Sequence, residues 1–325
     1  MLRATLNEQE IRRIINVPGK GERLVDGVSP LGAHNDRSLY FINKQMTPEI
    51  RDSFIAREGC IVVVFTGSAM NDSLGGCIVL EADDPRAELA RVLQFIRDEQ
   101  RVSSLVTHRN IASTANISPL AVVDGAVELA DEVVIEPFCV VGPDVKIGRR
   151  SIVRSGARIH SRVMIGENSV IGSNTVVGHQ GYGFVRDTTG NKFRIPHLGG
   201  VVIGSNVEIG ALVSMASGTL MPTVIEDYAK IDDLVHVAHN VRVASSASVI
   251  AGVVIGGHAV IDEEAWVGMN SSIRPGRRVG SHALVGMDAS IQHDLEDDSV
   301  ARAPQADVRM RKDDDHSAIG FTEPR

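Results

Sequence analysis

From Ile111 the chain returns an aliphatic residue at every sixth position, through Ile117, Val123, Leu129, Ile135, Val141, Ile147, Val153, Ile159, Ile165 and Ile171 to Val177. A second unbroken series, in a shifted phase, starts at Ile225 and passes through Ile231, Val237 and Val243 to end at Ile291, and Ile203, Ile209 and Met215 form a short series between the two. A period of six matches neither the 3.6 of a helix nor the 2 of one long strand. It predicts short strands joined by turns, with the repeated side chain pointing inward and stacking coil upon coil. Glycine often follows the aliphatic position, as at Ile147-Gly148, Ile165-Gly166 and Val285-Gly286, and suits tight corners. The pattern therefore predicts a parallel β-solenoid over residues 106–296, roughly nine coils stacked about 4.8 Å apart into a column on the order of 43 Å long.

The ladder slips twice. At the first slip, GHQGYGFVRDTTGNKFRIPHLGG (178–200), charges, aromatics and glycines replace the repeat, which predicts an excursion off the column. The second, SGTLMPTVIED, adds four residues shortly before HVAHNV (236–241). Residues 1–105 carry no hexads and read as a small α/β domain: LNEQEIRRIINV is helical in pattern, GCIVVVF and GGCIVLE read as buried strands, and Asp84-Pro85 opens a helix through ELARVLQFIRDEQ. QRVSSLVTHRN reads as the linker, and residues 297–325 as a charged, weakly structured tail.

Composition narrows the classes of function. With 325 residues, 43% of them hydrophobic and 23% charged, the chain is long enough to bury a sizeable core. A net charge of -8 argues against a general nucleic-acid binder, which needs a basic face. No run of about eighteen apolar residues suggests an integral membrane segment, and MLRATLNEQEIRRIINV lacks the apolar region of a secretory signal, so the cytoplasm is the expected compartment. Cys60, Cys77 and Cys139 show no CxxC spacing and are expected as small buried hydrophobes.

The hexads resemble those of the hexapeptide-repeat acyltransferases, and the resemblance implies a left-handed parallel β-helix in which three hexads make one coil of eighteen residues. On that spacing Gly257 lies one coil above His239. Val237 is the inward residue of its hexad, so His236 and His239 are expected to face outward, and no carboxylate or cysteine completes a metal set beside them. An imidazole next to a free glycine amide suits acyl transfer from a thioester. The imidazole takes a proton from the attacking group, and the amide donates to the carbonyl oxygen as charge develops on it.

The stretches GNKFRIPHLGGVVIGSNVEIGA (190–211), GYGF (181–184), TVIEDYAKIDD (223–233) and HVAHNV, in this order behind an N-terminal α/β domain, resemble the UDP-3-O-(3-hydroxyacyl)glucosamine N-acyltransferase family of lipid A biosynthesis. The resemblance implies His239 as general base and Gly257 as oxyanion donor. It places Tyr40 of SLYFIN where the family stacks an aromatic on uracil, Asn43 near the nucleotide, and Asp232 on a family aspartate that here caps a turn. His236 beside the corner and Tyr182 and Phe184 in the excursion are further candidate substrate-binding residues. Neither a metal nor a tightly bound cofactor is expected. The implied partners are a UDP-linked amino sugar, acyl carrier protein or coenzyme A as the thioester carrier, and two further copies of the chain in a homotrimer.

The chain also departs from that family. His236 stands where glutamine is usual, Gly276 where a second histidine is usual, and Ala216-Ser217 where an aspartate-arginine pair is usual, while the tail does not read as the family's amphipathic C-terminal helix. Two other readings follow: a coenzyme A-dependent transferase acting on another nucleotide-linked amino sugar for O-antigen or capsule, and a non-catalytic solenoid scaffold.

Overall fold

The computed structural model describes residues 1–44, 47–68 and 74–304. Its first part is a five-stranded sheet in the order β1 (Leu2–Asn7), β2 (Leu24–Val28), β3 (Ser38–Phe41), β4 (Glu58–Phe65), β5 (Gly76–Ala82), antiparallel between β1 and β2 and parallel beyond. Three helices accompany it: α1 (Glu8–Ile14), α2 (Pro48–Ile55) and α3 (Pro85–Asp98). Asn7 and Glu10 form a capping box at the start of α1, and the Asp84 carboxylate accepts from the Arg86 and Ala87 amides at the start of α3. Side chains alternate across the sheet, so Ile61 and Val63 of β4 pack in the core shared with α1 and α3, whereas Cys60, Val62 and Val64 pack beside Phe54 of α2.

The second part is the solenoid. Its three sheets hold nine, ten and nine parallel strands of two to four residues each, and they form three faces visited in turn. Partners lie eighteen positions apart, as in Val134↔Ile152 and Ile255↔Ile273. Neither slip breaks a sheet. Val163 pairs with Val201 across the first, and Met215 with Val237 across the second, so the added residues leave the column while the register continues on its far side. Each ladder residue from Leu129 onward is buried, and together they form one continuous core. The column runs past residue 296, because Val300–Ala301 adds a further strand beside Leu284–Val285. The rest of the expected tail, residues 305–325, lies outside the described residues.

From Leu129 to Ile273 a second buried position lies two residues before each ladder residue, which a count by six does not reveal. It is occupied by small or β-branched side chains, among them Val133, Cys139, Ala157, Val163, Ala229 and Val253. Where that position is polar it bonds locally: the Ser151, Ser169 and Thr175 hydroxyls donate to the Gly166, Gly204 and Gly210 carbonyls at 2.7–2.9 Å. Cys139 thus takes the buried role expected of it, as Cys60 does, while Cys77 is half-buried, and none of the three forms a disulfide.

At the corner between the second and third faces, Phe138, Leu212 and Leu234 adopt positive φ angles of 57–63°. Bulky side chains rarely sit in this region of backbone space. With Leu120, Met269 and Met287 they form a ridge of exposed apolar side chains along the column.

The excursion is a docked element. Its hairpin, β6 (Phe184–Arg186) and β7 (Lys192–Arg194), is antiparallel, and Val185, Ile195 and Leu198 are buried in the same core as Leu39, Ile61 and α3. Gln94 of α3 donates to the Arg194 carbonyl at 3.1 Å. Arg162 of the column donates to the Leu198 and Ser103 carbonyls at 2.9 Å, tying the excursion and the linker to one corner. The excursion therefore sets where the α/β part sits on the column.

Candidate active site

His239 sits where the chain turns from the third face back to the first, after the strand His236–Val237. Its Nδ1 lies 3.3 Å from Asn240 Oδ1, and because a carboxamide oxygen only accepts, Nδ1 is the donor. That oxygen is fixed from elsewhere: the Thr219 amide and hydroxyl both donate to it at 3.0 Å, and the Asn240 amide nitrogen donates to the Met221 carbonyl at 2.9 Å. Thr219 and Met221 belong to the four-residue slip, so the second irregularity of the ladder holds Asn240, and Asn240 orients the imidazole. With Nδ1 bearing the proton, Nε2 is left as the basic nitrogen.

The Nε2–Cε1 edge of that ring faces Gly257. A Cβ built on Gly257 would lie 2.9 Å from both atoms, which places the glycine directly over the imidazole as the eighteen-residue spacing predicts. The amides on either side are engaged, Gly256 N–H with the Ile273 carbonyl and His258 N–H with the His239 carbonyl, but Gly257 N–H has no acceptor among the described residues. A basic nitrogen and an unused amide donor thus share one corner.

Two more imidazoles stand against His239: His197 at 4.8 Å between ring centroids and His258 at 5.0 Å. Neither was selected from the sequence. Coil arithmetic contained a signal for His258, which is eighteen positions beyond Asn240, but none for His197, which the excursion carries in from outside the ladder. His197 is 3% exposed, and its Nδ1 is buried without a partner. Burial, reinforced by the neighbouring His239, pushes His197 down to about 4, so it is neutral at physiological pH. His258, more open to solvent, is also held below the usual imidazole range by partial burial, then by His239 and Arg86. Among the described residues no group of three histidines, cysteines or carboxylates is arranged to hold a metal ion.

The three imidazoles line a groove of about 550 Å³ whose opposite wall comes from the α/β part, including Leu31, Phe41, Asn43 and Leu89. Asn43 therefore faces the groove. Tyr40 does not. It is fully buried on the other side of the sheet, edge-on to Phe54 at 5.1 Å, with its hydroxyl donating to the Asn35 carbonyl at 2.8 Å and accepting from the Asn35 amide at 3.0 Å. The cause is strand alternation: one step along β3 changes the face, and Phe41 is the aromatic that reaches the groove. Tyr40→Ala is accordingly expected to cost roughly 3–5 kcal/mol of stability, read by denaturant unfolding, because it empties a packed core. An unfolding midpoint within error of the unchanged protein would return Tyr40 to a surface role.

The other expected contacts also lie away from this groove. Gly183 lines it, but its neighbours Tyr182 and Phe184 do not; they pack on each other at 5.0 Å, with the Tyr182 ring 86% exposed. His236 lies half-buried on the third face between Ser214 and Val254, outside the groove. Asp232 caps its corner, accepting from the Asp233 and Ala251 amides at 2.8 and 3.2 Å. Gly276 has open space where a side chain would be, so no second imidazole stands there.

Comparison with known proteins agrees with this architecture. The bacterial transferase hexapeptide (six repeats) family matches residues 126–161 and 144–179. UDP-3-O-acylglucosamine N-acyltransferase of Coxiella burnetii is 36% identical over 185 residues, 53% of this chain and 52% of that protein, so the chain spans about half the length of this relative. The protein of the same name from Polynucleobacter asymbioticus is 27% identical over 249 residues, 69% of this chain and 67% of its own length. The crystal structure of Francisella novicida UDP-N-acetylglucosamine acyltransferase superposes with a TM-score of 0.53 at 28% identity, covering 57% of this chain and 66% of that one. With an unbroken hexad ladder and a three-faced column, the chain carries the bacterial transferase hexapeptide repeat and is similar, over about half its length, to UDP-3-O-acylglucosamine N-acyltransferases.

Proposed function

We propose that the protein is an N-acyltransferase that moves a 3-hydroxyacyl or related group from a thioester carrier, acyl carrier protein or coenzyme A, to the amine of a UDP-linked glucosamine derivative, as in lipid A biosynthesis. The observation that carries this reading is the corner itself: an imidazole oriented by Asn240, with its basic edge toward the unused Gly257 amide, at the foot of a groove walled by a second domain. The names of the similar proteins support the same class of reaction.

In this mechanism the amine nitrogen attacks the thioester carbonyl and a C–N bond forms. His239 Nε2 takes the proton that the nitrogen sheds. Charge gathers on the carbonyl oxygen, where the Gly257 N–H donates to it. The C–S bond then breaks, and the departing thiolate takes the proton back from the imidazolium, so the base is regenerated without a cofactor.

The working form is a homotrimer in the cytoplasm. The ridge of Leu120, Phe138, Leu212, Leu234, Met269 and Met287 supports assembly, because exposed side chains of this kind are covered most simply by a second copy of the same column. No described helix is long and apolar enough to cross a membrane. The test is mass spectrometry of products after incubation with UDP-glucosamine derivatives and a panel of acyl carrier protein and coenzyme A thioesters, with light scattering on the same sample. An amide-linked acyl product from a trimeric species is expected. No product from any carrier would sink the proposal, and an active monomer would remove the trimer from it.

A further inference from the structure

Two grooves flank the start of α3, and they are built from opposite chemistry. One is lined by five carboxylates, Glu81, Asp83, Asp84, Glu88 and Asp187, beside two arginines, Arg91 and Arg186. The other is the groove of the His239 corner, and no aspartate or glutamate lines it, although the chain as a whole carries a net charge of -8. Its one permanent cation is Arg86, the second residue of α3, whose backbone amide donates to Asp84 but whose guanidinium enters no hydrogen bond or ion pair with any described residue. Arg86 lies near enough to His258 for its charge to disfavour protonation of that ring.

A guanidinium kept free of carboxylates, at the mouth of a groove with three imidazoles and apolar walls, is arranged for an anion. A carboxylate partner would otherwise neutralise it, and the carboxylates beside it in the chain, Asp83, Asp84 and Glu88, line the other groove. We propose that Arg86 and His258 form a phosphate-binding subsite that holds a phosphate ester of a substrate beside the His239 corner. Arg86 supplies a planar donor fork for two phosphate oxygens, and His258 supplies a ring N–H to a third. This deepens the acyl-transfer reading and rests on it for the identity of the substrate. The phosphate belongs either to the diphosphate of a nucleotide-linked acceptor or to the phosphopantetheine arm of a thioester donor, and the two sources separate by experiment.

The experiment is calorimetric titration of the full chain, and of its Arg86→Gln and Arg86→Lys variants, with UDP, uridine, phosphopantetheine and pantetheine. Arg86→Gln is expected to weaken the phosphate-bearing ligand about 10–100-fold and to leave its phosphate-free counterpart unchanged, with Arg86→Lys recovering part of the loss. A loss confined to UDP assigns the subsite to the acceptor, and one confined to phosphopantetheine assigns it to the donor arm. The proposal is overturned if the unchanged protein binds UDP no better than uridine and phosphopantetheine no better than pantetheine, or if Arg86→Gln leaves every affinity as it was. Equal weakening of UDP and uridine also overturns it, since that pattern reports altered packing. Because the readout is binding, the two readings fail separately. An acylated product with no phosphate preference removes the subsite alone, whereas a phosphate preference without product removes the acyl-transfer reading.

Discussion

Under the proposed mechanism, His239→Ala is expected to lower turnover by about 10²–10⁴-fold, the range associated with loss of a positioned general base, and to leave acceptor binding close to its original value. The corner survives the substitution because its own bonds do not depend on the imidazole: Asn240 keeps Thr219 and Met221, and Val237 remains in the ladder core. His236→Ala serves as the comparison. It removes a ring from the outer third face, outside the groove, so its effect on turnover is expected to be small. Steady-state rates for both variants, with circular dichroism to confirm folding, decide the matter. Near-normal turnover of folded His239→Ala, or a larger loss from His236→Ala, refutes the assignment.

Gly257→Ala is expected to lower kcat by about 10²–10³-fold, comparable to removing one oxyanion donor, with a change in stability of no more than about 1 kcal/mol. The φ angle of Gly257 is not in the left-handed region, so alanine suits the backbone. Its methyl group does not suit the imidazole: 2.9 Å from Nε2 and Cε1 is closer than real carbon contacts allow, and the movable partner is the ring. The ring must swing, which strains the bond from Nδ1 to Asn240 and pulls the imidazole away from the Gly257 amide. The two effects share one cause. Combining Gly257→Ala with His239→Ala is therefore expected to cost little more than His239→Ala alone. Additive losses in the double variant would mean that the methyl group acts elsewhere.

The column was legible in the sequence because a six-residue period admits one inward side chain per strand, and that side chain is aliphatic at every rung. The second inward position was obscured because Ser, Thr, Cys, Ala and Val all occupy it, and nothing in composition separates them from a corner residue. His239 and Gly257 were placed together by coil spacing, a property that stacking enforces. Tyr40 shows the limit of matching by position in a strand, where a one-residue displacement exchanges core for surface and Phe41 takes the groove. His197 was beyond reach for a different reason: its location depends on how twenty extra residues fold back, and no period governs those. Asn240 has the same origin, since Thr219, the residue that holds it, comes from the other slip.

The docked hairpin works as an index mark. A solenoid repeats itself, so a domain meeting its side has no intrinsic reason to stop at one coil instead of the next, and neighbouring coils offer nearly equivalent surfaces. The hairpin leaves the column two rungs before the strand that carries His236 and Val237, and Val185, Ile195 and Leu198 have a single matching seat beside α3. An insertion placed one rung higher or lower would move the whole α/β part by about 4.8 Å along the column. That distance exceeds the reach of a hydrogen bond, so Asn43 and Phe41 would face a corner without His239. The ladder supplies rigidity without an address, and the interruption in the ladder supplies the address.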